Sequence, residues 1–423
     1  MKKNNTNQNL DLTDDEIHFI LSPKAIRDRA EKIFQLSKLG HTSFQYHPEK
    51  FQPTVDYVLQ VINKNYPDLN IPFHSRWGHF RAGKIDRAAM LDQQIKTESN
   101  LEKARIKLDL VITSVLLDAG AGADWKYFEE SSKQNFQRSE GLGVASYYMF
   151  CSGVMSADRH TCQADQKGLG QIQVEDLKKY FQVTNENPLV GVEGRVQLLN
   201  NLSKAMDNKT IFPKGRPGSI IDYLSEKYGN QIPATAILRA VLDGLGCIWP
   251  GRLMAHGVNL GDVWKYGGWS FNTSDANKTP DAKLVDSLVP IHKLSQWMTY
   301  SLIEPINEAG FEVTGVDQLT GLAEYRNGGL MLDAGLISFR NSEDALKSWS
   351  PDSDLIIEWR ALTIYLLDQI GHAVQKSLNK SSQEFPLAKV LEGGTWWAGR
   401  YLAQEKRLGG TPPLNIISDG TVF

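Results

Sequence analysis

Apolar residues recur every three or four positions along most of this sequence, and this spacing constrains the fold more than any other feature. Ser99 and Glu102 have the spacing of a helix capping box. The segment that begins there has one apolar face, formed by Leu101, Ala104, Leu108, Val111 and Val115. A stripe of this period is typical of an amphipathic helix packed against a core. The sequence therefore predicts helices as its main elements.

Strand signals are few, and the clearest lie at 311–313 and 414–417. Further helices are predicted at 24–38, 52–64, 140–151, 174–182, 193–206, 218–227, 233–245, 284–308, 354–377 and 394–406. We therefore expect a mainly α, multi-helical protein with a few short strands. Residues 1–12 are polar and predicted to be disordered. Residues 13–423 are predicted to form a single multi-helical body, with a possible sub-domain boundary in the polar stretch 266–281.

The charge balance excludes one broad class of partner. The net charge is −3, and no Lys/Arg cluster has the size that phosphate contacts to a duplex require, so nucleic acid is not expected as a partner.

Residues 1–12 lack the apolar core of a secretory signal, and no stretch approaches the roughly 18 apolar residues of a membrane span. We expect a cytoplasmic protein without a membrane partner, and the oligomeric state stays open.

Metal and cofactor chemistry have no support in the sequence. The cysteines Cys151, Cys162 and Cys247 include no second pair that would complete a zinc site. Buried or inert thiols in a reducing compartment are the expected state of these residues. The chain also lacks a His-Glu-x-x-His motif and the spacing of a facial triad. We therefore predict neither a metal nor a cofactor.

The segment around Glu358 is the most informative for chemistry. Glu358, Trp359 and Arg360 interrupt an otherwise apolar helix that runs from Leu355 to Leu367. A carboxylate and a guanidinium are costly to bury unless they are paired or bound to a ligand. Two interpretations therefore stay open, a buried ion pair that fixes helix packing and a pair of residues that line a pocket.

A second candidate segment runs from Gln318 to Asp333. It is predicted as a helix, a break at Gly328-Gly329 and a second helix. Paired glycines also allow a ligand to approach the backbone closely. Glu324 and Arg326 precede the glycines, so a ribose or phosphate site is chemically reasonable. A capped turn with a surface salt bridge is the alternative.

Two further clusters carry charge beside glycine or aromatic residues. Asp118 opens a Gly-rich stretch that ends at Trp125, which lacks the Gly-Lys-Ser/Thr of a P-loop and is also compatible with a helix end followed by a turn. The loop arginines, Arg76 and Arg81, lie among histidines that include His79. Arginine presents a bidentate fork to phosphate, although loop histidines are more often simply solvated.

These segments together resemble a family of uncharacterised proteins that includes the uracil-catabolism protein of a pathway in which the pyrimidine ring is opened at the nucleotide level. The resemblance extends from about residue 20 to the last residue. The matching segments are His79–Gly83, Leu116–Gly122, Arg138–Gly141, Leu319–Asp333, Glu358–Thr363 and Ser418–Phe423.

A more distant similarity suggests the chemistry. Glu324-Tyr325-Arg326, followed by Gly335-Leu336-Ile337, resembles the Asp-Tyr-Arg and Gly-Val/Ile-Leu segment of the queuosine salvage proteins, with Glu in place of Asp. Glu358-x-Arg360-Ala361 resembles their Glu-Ile-Arg-Ala helix. Those proteins are related to helix–hairpin–helix DNA glycosylases and cleave a nucleotide-like N-glycosidic bond. The resemblance implies a helix–hairpin–helix DNA-glycosylase-like core and an N-glycosidase that acts on a small sugar phosphate, ribosylurea phosphate or a close relative.

This chemistry needs negative charge near C1′ and a base that aims water. Glu324 is the first choice for the carboxylate near the ribose, and Asp118 or Glu358 for the second catalytic acid. The predicted substrate-binding residues are Arg326, Arg360, Arg138, Glu140, Arg81, His79, Tyr325, Trp359 and Asp333. Two other hypotheses stay open: an amidohydrolase or deaminase acting on the opened pyrimidine, and a non-catalytic ligand-binding or assembly protein.

Overall fold

The structure, a computed structural model, describes residues 8–249, 253–272 and 283–417. The helices are α1 (Asp14–Ile20), α2 (Pro23–Lys38), α3 (Phe51–Asn65), α4 (Arg76–His79), α5 (Arg87–Gln94), α6 (Asn100–Leu116), α7 (Arg138–Cys151), α8 (Gln166–Gly170), α9 (Val174–Tyr180), α10 (Val192–Ala205), α11 (Ile220–Tyr228), α12 (Ala234–Leu245), α13 (Lys293–Glu308), α14 (Tyr325–Asp333), α15 (Asp354–Ser377), α16 (Leu387–Val390) and α17 (Trp396–Lys406). The prediction of a mainly α protein is therefore confirmed. The finer prediction of a helix–hairpin–helix core stays a prediction.

The strands are short and pair in small groups. They are β1 (Gln8–Leu10), β2 (Phe44–Tyr46), β3 (Lys126–Glu129), β4 (Gln134–Gln137), β5 (Gln231–Pro233), β6 (Leu253–Ala255), β7 (Val258–Asn259), β8 (Val263–Lys265), β9 (Leu288–Pro290), β10 (Glu312–Thr314), β11 (Ile337–Phe339), β12 (Ser348–Trp349) and β13 (Asn415–Ile416). Parallel pairs are formed by β1 with β6, β5 with β10, and β12 with β13. Antiparallel pairs are formed by β2 with β11, β3 with β4, β6 with β7, and β8 with β9. The two predicted strands correspond to β10 and β13 and are confirmed.

The described residues form two compact units. The first unit comprises 8–74, 253–272, 283–296 and 315–417, and the second comprises 75–249 and 297–314. Helix α13 therefore begins in the first unit and ends in the second. None of the helices in the described ranges has the length and apolar character that a bilayer span requires.

In the first unit, α2 packs against α15. Phe34 and Tyr365 stack with their ring centroids 4.1 Å apart, and the apolar face of α2 around Ile26 and Ile33 is fully buried. Helix α2 begins at Pro23, one residue before the predicted start, because the Ser22 hydroxyl accepts a hydrogen bond from the backbone of Ala25 and caps the helix. The apolar periodicity of the sequence thus defines the core of this unit.

The second unit is built around α6 and α7. The predicted stripe of α6 is buried at Ala104, Leu108 and Val111, and the Ser99 hydroxyl caps the helix. The hydroxyl groups of Ser114 and Ser146 lie 2.6 Å apart, so the two helices approach closely at residues with small side chains.

Two predicted elements are wrong. The helix predicted at 284–308 begins only at Lys293, because Leu288–Pro290 form a strand paired with β8. The carboxylate of Asp262 then accepts a hydrogen bond from the backbone N–H of Lys293 at 3.0 Å and fixes the start of α13. Tertiary pairing therefore decides this boundary.

The predicted break at Gly328-Gly329 is also wrong, because α14 continues through both residues. A Cβ atom at Gly328 would lie 2.4 Å from Cζ2 of Trp359. Glycine is required there by helix packing, since the indole of α15 lies directly against the backbone of α14.

The N-terminal prediction needs a correction as well. Residues 1–7 of the segment predicted to be disordered lie outside the described residues, as do residues 273–282 of the predicted boundary. Gln8–Leu10 instead form β1, because the edge of β6 supplies hydrogen bonds to their backbone.

Candidate functional site

Glu358 is a buried carboxyl group of the first unit, held by two hydrogen-bond donors. It is 4% exposed. The Tyr266 hydroxyl donates to one of its oxygens at 2.7 Å, and the backbone N–H of Ser43 donates to the other at 2.7 Å. Burial raises the pKa of Glu358 above its ordinary value, despite these donors. The environment therefore favours the protonated acid more than water does.

Arg360 forms a bidentate ion pair with Asp262. Both distances between the guanidinium nitrogens and the carboxylate oxygens are 2.7 Å, and the Arg360 side chain is fully buried. Burial alone would raise the pKa of Asp262, but the charge and hydrogen bonds of Arg360 outweigh it, and the pKa lies well below its usual range. Arg360 thus has a carboxylate partner that sequence reasoning missed, and Glu358 is bound by other groups.

Two buried polar side chains lie on the same segment as the start of α13. His292 Nε2 is 3.0 Å from the carbonyl oxygen of Ile20, and burial lowers the pKa of the imidazole. Its other nitrogen, Nδ1, and both polar atoms of the Gln296 amide have no hydrogen-bond partner among the described residues. Buried polar atoms are nearly always paired, so these groups are candidates for contact with water or a polar ligand.

Glu324 caps α14. Its carboxylate accepts hydrogen bonds from the backbone N–H groups of Arg326, at 2.8 Å, and Asn327, at 2.5 Å. The Arg326 guanidinium donates to the carbonyl oxygen of Gly410 at 2.8 Å. Glu324, Tyr325 and Arg326 are all half-buried. The predicted ribose carboxylate therefore has a structural role at the start of the helix.

The remaining predicted residues of the first unit are also engaged. Trp359 donates its indole N–H to the carbonyl oxygen of Gly328 at 3.0 Å, which joins α15 to α14. Asp333 forms a bidentate ion pair with Arg407, with distances of 2.7 and 2.5 Å. The structure thus joins the helices of Glu324 and Glu358 directly, while Asp333 and Arg407 link α14 to the segment that follows α17.

In the second unit, Asp118 is paired with a fully buried arginine. Arg76 Nη2 lies 2.7 Å from Asp118 Oδ1, and the Ser139 hydroxyl donates to the same oxygen. Nη1 of Arg76 is 2.9 Å from His79 Nδ1. Burial lowers the pKa of Arg76, whereas the charges of Asp118 and Glu140 oppose this shift. All five of these residues come from segments that the sequence singled out, and the structure brings them together.

The two other predicted arginines of this unit are placed differently. Arg81 forms ion pairs with Glu304 and Glu308, at 3.3 and 2.8 Å. Burial raises the pKa of Glu304. Arg138 is exposed and begins α7 with a φ of 52°, a left-handed backbone that is uncommon outside glycine. Strained backbone of this kind is frequent at functional sites.

Sequence reasoning missed Asp262, Tyr266, His292 and Gln296. Asp262 and Tyr266 are 98 and 92 residues from their partners on α15, so no local spacing could connect them. A signal was available for Asp262, which stands alone as an acid between Leu260-Gly261 and Val263-Trp264. No group of three or more His, Cys, Asp or Glu side chains in the described ranges is arranged to hold a metal ion.

The fold and these clusters define a mainly helical protein with buried acid and guanidinium groups in each of its units. Residues 19–423 match the family described as "Protein of unknown function (DUF1688)", and the chain belongs to that family.

Two relatives match nearly the full length of the chain. Uracil catabolism protein 4 of Lachancea kluyveri is 35% identical over 445 residues, which cover 97% of this chain and 99% of that protein. Protein urg3 of Schizosaccharomyces pombe (strain 972 / ATCC 24843) is 36% identical over 416 residues, covering 96% and 98%. The resemblance to the uracil-catabolism family is therefore confirmed, whereas the similarity to the queuosine salvage proteins stays a prediction.

Proposed function

We propose that this protein is a hydrolase of uracil catabolism that cleaves the N-glycosidic bond of a small ribose phosphate, ribosylurea 5-phosphate or a close relative. The name of the Lachancea kluyveri relative, uracil catabolism protein 4, supports the pathway. Opening the uracil ring of a nucleotide and releasing its ring carbons C4–C6 leaves a urea on C1′ of ribose phosphate, and the bond between C1′ and nitrogen then has to be broken.

One observation carries the chemical part of the proposal. Glu358 lies on α15, Asp262 is paired with Arg360 of the same helical turn, and the pKa values of these two carboxyl groups are shifted in opposite directions. Burial raises the pKa of Glu358, whereas Arg360 keeps that of Asp262 low. Glycoside hydrolysis needs such a pair, with one carboxyl protonated as the general acid and the other ionised. We therefore assign the acid role to Glu358 and the role of the ionised carboxylate to Asp262, whereas Glu324, the carboxylate predicted near the ribose, caps α14.

In the proposed reaction, Glu358 gives its proton to the departing urea nitrogen as the C1′–N bond breaks. The positive charge that develops at C1′ and the ring oxygen is stabilised by the ionised carboxylate of Asp262. Water adds to C1′, its proton returns to a carboxylate, and the products are urea and ribose 5-phosphate. Tyr266 orients the Glu358 carboxyl group through its hydrogen bond.

The buried polar groups at the start of α13 support a ligand at this place. His292 Nδ1 and the Gln296 amide lack partners among the described residues, and a sugar offers both donors and acceptors. Asp262 connects them to the ion pair, since it also binds the backbone of Lys293. Asp118, with Arg76, His79 and Glu140, remains the candidate cluster of the second unit.

The test is the release of urea from ribosylurea 5-phosphate by the purified full-length protein. Replacing Glu358 by Gln keeps the shape and removes the proton, so we expect kcat to fall by about 10²–10⁴-fold with little change in KM. Glu405→Gln is the matched control, because Glu405 is exposed on α17. A Glu358→Gln variant that is folded and as active as the control would refute the assignment, and the absence of urea from wild-type protein would refute the proposed function.

A further inference from the structure

Cys151 and Cys162 of the second unit are adjacent in space, although ten residues separate them in the sequence. The Sγ atom of Cys162 lies 3.3 Å from the carbonyl oxygen of Cys151. The two thiol groups are close enough to interact, because each shifts the pKa of the other. Helix α7 ends at Cys151, and the loop of residues 152–161 returns the chain to that end.

This loop is tightly folded. Gly153 has a φ of 78°, and a Cβ atom there would lie 2.6 Å from the backbone of His160. The two sides of the loop are therefore in contact. The Asp158 carboxylate accepts hydrogen bonds from the Ser156 hydroxyl and from both the backbone and the hydroxyl of Thr161. The proximity of the two thiols is therefore built into the local fold, because the loop between them is already closed.

The two thiols differ in character. The interaction with the Cys151 thiol lowers the pKa of the Cys162 thiol to about 7. The same interaction, together with burial, raises the pKa of Cys151. Both side chains are half-buried, so Cys162 is accessible from solvent. A partly ionised thiol beside a second thiol is the arrangement of redox-sensitive cysteine pairs.

We propose that Cys151 and Cys162 are a dithiol site that a hydroperoxide oxidises to a reversible intrachain disulfide. The Cys162 thiolate attacks the peroxide, the O–O bond breaks, and the products are a sulfenic acid on Cys162 and one water or alcohol. The Cys151 sulfur then attacks the sulfenic sulfur, losing its proton and expelling a second water. Two thiols are oxidised, one hydroperoxide is reduced, and a small thiol reverses the reaction by exchange. This replaces the expectation of inert thiols for this pair and does not depend on the proposed function.

Cys247 provides an internal control. The residue as a whole is exposed, but its sulfur is partly buried, and this burial raises the pKa of the thiol above the usual value. A larger fraction of Cys162 than of Cys247 is therefore ionised at pH 7. A more acidic thiol is a weaker nucleophile, but ionisation outweighs this, so we expect Cys162 to react with iodoacetamide several-fold faster than Cys247.

The experiment treats the reduced full-length protein with one equivalent of hydrogen peroxide, blocks remaining thiols with N-ethylmaleimide and maps peptides by mass spectrometry. Wild type and Cys247→Ser should yield the linked Cys151–Cys162 peptide, and dithiothreitol should release it. Cys151→Ser should instead accumulate a dimedone-reactive sulfenic acid at Cys162, and Cys162→Ser should keep both remaining thiols reduced. Circular dichroism verifies that each variant is folded.

The proposal is overturned if folded wild-type protein gives no linked peptide, or if the disulfides that form involve Cys247 as often as Cys162. Equal alkylation rates of Cys162 and Cys247 at pH 7 would overturn the assignment of Cys162 as the attacking thiol.

Discussion

Replacing Asp262 by Asn removes the charge opposite Arg360 and leaves the shape of the side chain almost unchanged. The Arg360 side chain has 0% exposure and that of Asp262 has 10%, so solvent cannot compensate for the lost charge. Asn keeps one acceptor oxygen, so one of the two 2.7 Å hydrogen bonds is retained at most. Breaking a buried ion pair on one side costs about 3–5 kcal/mol. We expect a loss of free energy of unfolding near the lower end of this range, about 3 kcal/mol.

The assay is urea denaturation monitored by circular dichroism at neutral pH, with the slope of the transition compared between variants. Glu130→Gln is the control, because its ion pair with Lys133 is exposed and should contribute no resolvable stability. The double variant Asp262→Asn/Arg360→Met should recover most of the loss, since it removes both buried charges. If Asp262→Asn unfolds at the same urea concentration as wild type, the account of this ion pair is wrong.

Two further predictions concern Glu358 and Gly328. The pKa of Glu358 is raised in the folded protein, so the folded state binds more protons than the unfolded state, and this group lowers stability as pH rises above about 4.3. The stability advantage of wild type over Glu358→Gln should therefore shrink between pH 4.5 and pH 8 in urea titrations. An advantage that grows with pH would contradict the burial argument. Gly328→Ala places a methyl group 2.4 Å from Trp359 and should cost about 1–3 kcal/mol. Gly194→Ala, in a helical position with open space, should be neutral or stabilising when both variants are compared by differential scanning calorimetry. Equal effects of the two substitutions would refute the packing explanation.

The helices could be predicted because their signals are local. The cap at Ser99 and the apolar stripe that follows lie within one element. The helix predicted at 284–308 failed because pairing with β8, a segment about 25 residues earlier, competes with helical periodicity. Local patterns therefore define elements well but not the boundaries that distant partners set.

The candidate site was only partly predictable for the same reason. The cost of burying Glu358 and Arg360 was evident from their apolar neighbours, and the structure confirms that both are buried and hydrogen bonded. Their partners Tyr266 and Asp262 come from another segment of the chain. The motif around Glu324 did not indicate that its carboxylate caps α14, and the predicted role of this residue near the ribose stays a prediction.

The packing of α2 against α15 has a consequence for folding during synthesis on the ribosome. Ser43 and Glu358 are 315 residues apart in the sequence, and translation at 5–20 residues per second takes roughly 15–60 s to cover that separation. During this interval the part of α2 that packs against α15 lacks that partner. Residues 75–249 can begin to condense while they are being made, whereas the N-terminal segment has to wait for the end of synthesis. We therefore expect chaperones that protect nascent chains to act on this N-terminal segment.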